Sequence, residues 1–364
     1  MVLLLNHSGA LMARFEVYPD DLVNWSDGWK QVKESDTVVF KPGRHRFVVP
    51  EKKCLARLPS GVYVTAEPGS VIEVSGGGTL FCAVNAREIR LESIRAEYVT
   101  PGLPGNYAQF LDVRGCLGVD VRGCDVRRFN TAIKSGRSAG TGAQGQLFDG
   151  LGEGFGPTRF LHVQGCNFFD CALSAIGFKS GGTQNAIIAD NTIIGYGGYG
   201  ANIEGEGTPQ GITSDVLFCD NRIIGGDTRL RGDTNGPIFG AYLGEHCRKV
   251  QVFGNHFGSI GGKSATTIAG VGVSTSPSQG DTPVSDIAIC QNDFSVFDRP
   301  TERRRVAPIA LMPGNASIRR VRIVDNKPAS DVIIFRPDTS KSSGRVEFLD
   351  CPGPYMVRVS DDAM

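Results

Sequence analysis

The chain of 364 residues lacks most of the features that mark common function classes. No stretch of eighteen apolar residues occurs, so no transmembrane helix and no membrane partner are expected. No CxxC pair is present, and the Cys and His spacings fit no zinc site. GxxxxGK[ST], HExxH and GxSxG are all missing. A literal GxGxxG, GTGAQG at 140–145, follows no strand–helix unit and therefore makes no dinucleotide site. Thirty-eight acidic and 38 basic residues cancel, so bulk charge makes no case for a nucleic-acid partner, and none is expected. The opening MVLLLNHSGALMARFEV has no basic n-region and does not read as a secretory signal.

What is abundant is glycine, 48 residues of it, which suits many tight turns between short strands. The ten cysteines are scattered rather than arranged as a disulfide framework. Free thiols of this kind favour a reducing, cytoplasmic setting, although localisation is otherwise open.

One short phrase recurs eight times: VDVRGCDV (119–126), LHVQGCNF (161–168), IIADNTI (187–193), VLFCDNRI (216–223), VQVFGNHF (250–257), IAICQNDF (287–294), VRIVDNKP (321–328) and VEFLDCP (346–352). Its marked residues are Cys124, Cys166, Asn191, Asn221, Asn255, Asn292, Asn326 and Cys351, spaced 25 to 42 residues apart. A phrase that holds while its period wanders is the signature of stacked repeats with loops of varying length. Five consecutive Asn flanked by Cys imply a ladder of buried side chains, each Asn occupying a tight turn in left-handed geometry and bonding to its equivalents. After each phrase comes a second alternating stretch: AIGFKSG (175–181), GANIEGE (200–206), FGAYLGE (239–245), GVGVSTS (270–276) and PIALMPG (308–314). Each repeat is therefore three short strands without an intervening long helix, which excludes βαβ units.

This pattern resembles the right-handed parallel β-helix proteins of the pectate-lyase-like superfamily, over about residues 36 to 352. The resemblance implies an all-β, single-stranded solenoid of about nine coils with an internal Asn/Cys ladder. Residues 20–34 place Leu22, Trp25, Trp29 and Val32 at helical spacing, which predicts an N-terminal capping helix over the open end. DTVVFKPGRHRF (36–47) matches the strand–Pro–Gly–turn opening of such proteins. The expected division is 1–35 extension and capping helix, 36–352 β-helix, and 353–364 C-terminal tail.

The resemblance places catalysis on the outer face of the second alternating stretch. Alternation points Ile176, Phe178, Ala201, Ile203, Ala241, Leu243, Val271 and Val273 inward. One outward column then reads Gly177, Asn202, Tyr242, Gly272, and a second reads Asp112, Lys134, Lys179, Glu204, Gly244, Ser274. The expected catalytic group is Lys179, Glu204, Tyr242, Glu245 and His246. Lys134, Asn202, Asp149, Arg229 and Arg231 are expected to bind substrate, beneath a Gly-rich loop at 136–158. Tyr242 between two glycines reads as a shelf for a sugar ring. Glu153, Asp227 and Asp233 are reserve carboxylates, and Arg303, Arg304 and Arg305 form a basic cluster suited to an acidic glycan. His256, beside the ladder, reads as structural.

These residues suit two reactions on an acidic polysaccharide. Elimination would use Lys179 or Lys134 as base, with Ca²⁺ held by Glu204 and Glu245. Hydrolysis would use Glu204 and Glu245 as a carboxylate pair. Outside the elimination route no cofactor is called for. Motifs specific to pectate lyases, polygalacturonases and mannuronan epimerases are absent, so the resemblance carries over no catalytic residue, and fold alone does not fix function. A non-catalytic glycan binder of the tailspike or adhesin kind, and an intracellular small-molecule enzyme, remain the alternatives. Monomer and homo-oligomer are both compatible with the pattern.

Overall fold

The computed structural model describes residues 2–5, 11–19, 29–136, 156–178, 182–205, 211–232, 236–260, 265–275, 283–297, 305–314, 316–327, 332–335, 344–349 and 357–360. Their strands form three sheets of thirteen, nine and eleven strands, which the chain visits in rotation from Thr37 to Met312. Thr37–Phe40 lies in the first sheet, Gly43–Val48 in the second and Cys54–Arg57 in the third; Tyr63–Ala66 then returns to the first. Nine such turns, from Thr37 to Met312, place a strand in every sheet, each parallel to its counterpart in the next turn. The fold is a right-handed parallel β-helix.

Two features differ at the N-terminal end from the reading of the sequence. Leu11–Val17 pairs in parallel with Thr37–Phe40, so the first sheet continues into the segment assigned to an extension. Val2–Leu5 adds an antiparallel edge to it. Of the expected capping helix, only a single 3₁₀ turn, Trp29–Gln31, falls among the described residues; Leu22 and Trp25 lie outside them. Trp29 is nonetheless buried, against Phe40 and Phe81.

The interior is built of columns that run up the solenoid. In the first sheet Val121, Val163, Ile188, Phe218, Val252, Ile289 and Ile323 share one register, all buried. Each such side chain contributes about 1.5–3 kcal/mol by leaving water. Between the first and second sheets the chain turns in two residues, and there the marked positions stack. Asn191 Oδ1 accepts from Cys166 N at 2.9 Å, and Asn221 Oδ1 accepts from both Asn191 N (3.0 Å) and Asn191 Nδ2 (2.9 Å). The same double acceptance links Asn221 to Asn255, Asn255 to Asn292, and Asn292 to Asn326. Each Nδ2 also donates to a backbone carbonyl of the preceding turn, so these buried amides are satisfied on both sides. Cys351 lies outside the described residues.

The left-handed residue at this corner is the one before each ladder position, contrary to the expectation that Asn itself adopts it. Gly123, Gly165, Asp190, Asp220, Gly254, Gln291 and Asp325 have φ between 53° and 66°. The following Asn is freed to point its amide inward. A second left-handed column runs up the first sheet through Glu88, Gly118, Phe160, Asn185, Asp215, Lys249, Asp286 and Arg320. No residue type marks that column.

Candidate functional site

The third sheet departs from simple alternation at Gly200, Gly240 and Gly270. A Cβ at Gly200 would run into Ile223, at Gly240 into Phe257 and at Gly270 into Phe294. These glycines therefore face the interior just before Ala201, Ala241 and Val271, which face it too. The residue preceding each one is turned outward. That puts Tyr199 and Phe239 on the outer face with Tyr242. Phe239 and Tyr242 stack at 5.1 Å, Tyr199 and Tyr242 lie 5.3 Å apart, and Tyr199 stacks on Phe239 at 6.1 Å. The Phe239 ring covers Gly272, so the space beside Tyr242 on that side is filled rather than left as a shelf. Tyr199 and Phe239 escaped sequence reasoning, although an aromatic preceding a glycine in two successive repeats was the available signal.

The register Gly177, Asn202, Tyr242, Gly272 is as the sequence predicts. Lys134 and Asp112 belong to this same column, because Asp112 pairs with Lys134 and Lys134 with Gly177. Their assignment to the Glu204 column was displaced by two residues, the strands before Gly177 ending later than their polar spacing suggests. The Glu204 column contains Arg114 in their stead, two residues beyond Asp112. Arg114 and Asp112 form a buried ion pair, Nη2–Oδ2 2.6 Å and Nε–Oδ1 3.2 Å, with Lys134 Nζ 3.7 Å from Asp112 Oδ2.

Asn202 lies at the floor of this face with no solvent exposure. Its Nδ2 donates to Glu204 Oε2 at 3.2 Å. A carboxylate can only accept, so Oδ1 faces away from Glu204, and it is buried without a hydrogen-bond partner among the described residues. Such an orphaned acceptor costs about 1–3 kcal/mol. Glu204 is half-buried and rests over Gly244, where a Cβ would come within 2.5 Å of its Cγ. Burial pushes the Tyr242 phenol well above its ordinary value; Glu204 and Glu245 add to the rise, while a bond from Ser274 opposes it. Tyr242 is thus a proton donor and never a phenolate at physiological pH. Tyr199 is raised too, by burial and then by the charge of Glu204. Glu204 and Glu245 both act on Tyr242 and on the buried Cys247 thiol, which places the two carboxylates in one neighbourhood.

Some of the remaining sequence candidates border this face: His246 abuts Gly205, and Arg231 abuts Gly197 and Gly198 beside Tyr199. His246 is buried in the corner after Ile238–Leu243, with a left-handed φ of 58°. Arg229 is exposed and clasps Asp227, Nε–Oδ2 2.8 Å. Arg231 lines a cavity of about 310 Å³ with Leu103, Asn106, Asn130 and Leu173. Lys179, Asp149, Glu153, Asp233, Arg303 and Arg304 lie outside the described residues, as does most of the 136–158 connection. Among the described residues no group of three His, Cys, Asp or Glu side chains is arranged to hold a metal ion.

No protein-family model matches the chain, and no curated protein does. Solved structures do. PfbA, a surface adhesin of Streptococcus pneumoniae, aligns with a TM-score of 0.53 at 14% identity, over 93% of this chain and 88% of that one. The A-module of a mannuronan C-5 epimerase from Azotobacter vinelandii aligns at 0.45 and 12%, over 89% and 91%. A polygalacturonase from Erwinia carotovora aligns at 0.43 and 10%, over 95% and 96%. At such identities the likeness to PfbA concerns the fold alone, a right-handed parallel β-helix.

Proposed function

We propose that this protein is a carbohydrate-active enzyme that hydrolyses a glycosidic bond at the outer face of the third sheet. The observation that carries the reading is the half-buried Glu204 carboxylate, held by the buried Asn202 amide at the accessible edge beside Tyr242. Its exposed side suits a donor such as a sugar hydroxyl. The half-buried rings of Tyr199 and Tyr242 offer the apolar edge against which a pyranose face packs.

The Asn202 amide orients the Glu204 carboxylate, which fits Glu204 as the base that takes a proton from water. Glu245 then supplies the proton to the leaving oxygen, and the water oxygen joins the anomeric carbon as the glycosidic bond breaks. Tyr242, held protonated by its burial, hydrogen-bonds to substrate without competing as a base. The face is buried at Cys82, Asp112 and Asn202, leaving Glu204, Tyr199, Tyr242 and Glu245 as the accessible edge. That short edge fits an oligosaccharide or a chain end better than the middle of a long polymer, and Lys134 in the same register favours an acidic sugar.

The test is incubation with acidic and neutral oligosaccharides, following new reducing ends and the ultraviolet absorbance of unsaturated uronates together. Reducing ends without absorbance are expected, falling about 10²–10⁴-fold in Glu204→Gln. Rising absorbance would replace hydrolysis by elimination. Saturable binding with no product, or full turnover by the variant, would overturn the reading.

A further inference from the structure

The outer face of the second sheet carries a second arrangement, remote in the sequence repeat from Asn202 and Glu204. His256 opens the strand His256–Ile260, and Asp293 and Ser295 lie on the next strand, Asp293–Phe297. Register sets His256 against Asp293 and Gly258 against Ser295. His256 Nδ1 is 3.0 Å from Asp293 Oδ2, and its Nε2 is 3.3 Å from Ser295 Oγ. The carboxylate can only accept, so Nδ1 carries the proton and Nε2 presents its lone pair to the serine hydroxyl. Carboxylate, imidazole and hydroxyl are thereby joined in the order that activates a serine nucleophile.

The floor of this arrangement is Gly258. A Cβ there would stand 2.9 Å from His256 Nε2 and 3.5 Å from Ser295 Oγ, close against the contact of the two reacting atoms. Only glycine leaves the ring free to lie against Ser295. The site is open to substrate, the His256 and Asp293 side chains being 39% and 53% exposed. Arg222 is in register with His256 on one side, and Lys327 with Asp293 on the other. Two cations against one carboxylate leave the surroundings positive when the imidazole is neutral.

We propose that Asp293, His256 and Ser295 form a second catalytic site, a serine acyl-hydrolase centre that cleaves small acyl esters carried on an anionic molecule. Ser295 Oγ attacks the ester carbonyl carbon and its proton passes to His256 Nε2. The ester carbon–oxygen bond breaks, and the leaving alkoxide takes that proton. Water, deprotonated by His256, then adds to the acyl-serine; the acid is released and Ser295 regains its proton. Asp293 holds the ring in the required tautomer and faces the imidazolium formed in each half-reaction. Arg222 and Lys327 oppose the negative charge that grows on the carbonyl oxygen. The flat, shallow face suits a short acyl group, with the carrier lying along the sheet.

The whole chain, unmodified, is treated with a fluorophosphonate probe and separately with a chromogenic aryl acetate. Phosphonylation at Ser295, identified on its peptide by mass spectrometry, is expected together with aryl acetate hydrolysis. Both fall at least 10-fold in Ser295→Ala and in His256→Gln, whose surface positions leave the unfolding midpoint unchanged. Gly258→Ala keeps all three side chains and still loses both signals, because its methyl, 2.9 Å from Nε2, pushes the ring out of its place against Oγ. Hydrolysis that survives Ser295→Ala but not His256→Gln would reduce His256 to a surface imidazole and overturn the proposal. Labelling at another residue, or full activity in Gly258→Ala, would overturn it equally. None of these readouts depends on glycan turnover, so failure here and failure of the proposed hydrolysis are separate results.

Discussion

Asn221 and Asn202 are the same residue, both buried in the same domain, yet their amides live under opposite rules. Asn221 Oδ1 receives two hydrogen bonds from Asn191, and its Nδ2 donates to Ile188 O and Asn255 Oδ1 at 2.9 and 3.0 Å. Asn202 donates to Glu204, and its Oδ1 has no partner among the described residues. The first environment is complete and holds the coils together; the second keeps an unspent acceptor next to a carboxylate. Satisfied burial holds the fold together, whereas the bond from Asn202 sets the Glu204 carboxylate at an accessible edge.

Substitution to alanine separates the two most strongly. Asn221→Ala strands the Asn191 backbone N–H, one N–H of the Asn191 amide and the Ile188 carbonyl in the interior, and should destabilise by about 3–5 kcal/mol in a urea titration. Asn202→Ala removes an orphan along with one hydrogen bond, so its unfolding free energy should stay within about 1 kcal/mol of the parent while turnover falls. Equal destabilisation of the two would mean that Asn202 is a scaffold residue and that the reading of the third-sheet face is wrong.

Gly244→Ala sharpens the same contrast with a smaller change. The new methyl would crowd Glu204 Cγ at 2.5 Å and Tyr242 Cε1 at 2.7 Å, pushing the carboxylate off the Asn202 amide without touching the interior. A fall in kcat of about 10-fold, roughly 1.4 kcal/mol, is expected with KM nearly constant. An unchanged kcat would show that the position of Glu204 over Gly244 has no catalytic meaning.

The ladder was legible because it needs one residue type at one register, repeated. So was the inward set of the third sheet, where Ile176, Ala201, Ala241 and Val271 align as alternation requires. Reading failed where the backbone broke its own period. Gly200, Gly240 and Gly270 face inward out of turn, and nothing in the alternation reveals that Tyr199 and Phe239 are thereby brought to Tyr242. Lys134 was misplaced by two residues because polar spacing alone cannot tell which outward column a strand's end belongs to. His256 was dismissed for its place beside Asn255, although its partners Asp293 and Ser295 are the first and third residues of the next coil's strand. Contacts between coils follow from register, and register becomes known only once the turns are.

The left-handed column of the first sheet is the converse of the ladder: its geometry repeats while its residues do not. Glu88, φ 55°, is exposed, and the next coil places Gly118, φ 78°, at the same register. A non-glycine residue held there costs about 1–2 kcal/mol. Glycine removes that strain but loses about 0.5–1 kcal/mol more chain entropy on folding. Glu88→Gly should therefore stabilise the protein by roughly 0.5 kcal/mol, seen as a slightly higher urea midpoint at unchanged slope. A fall would mean that the Glu88 side chain contributes to the sheet surface by more than its backbone strain subtracts. The column would then be selected by side-chain packing, as the ladder is, and its lack of a common residue type would need a packing explanation coil by coil.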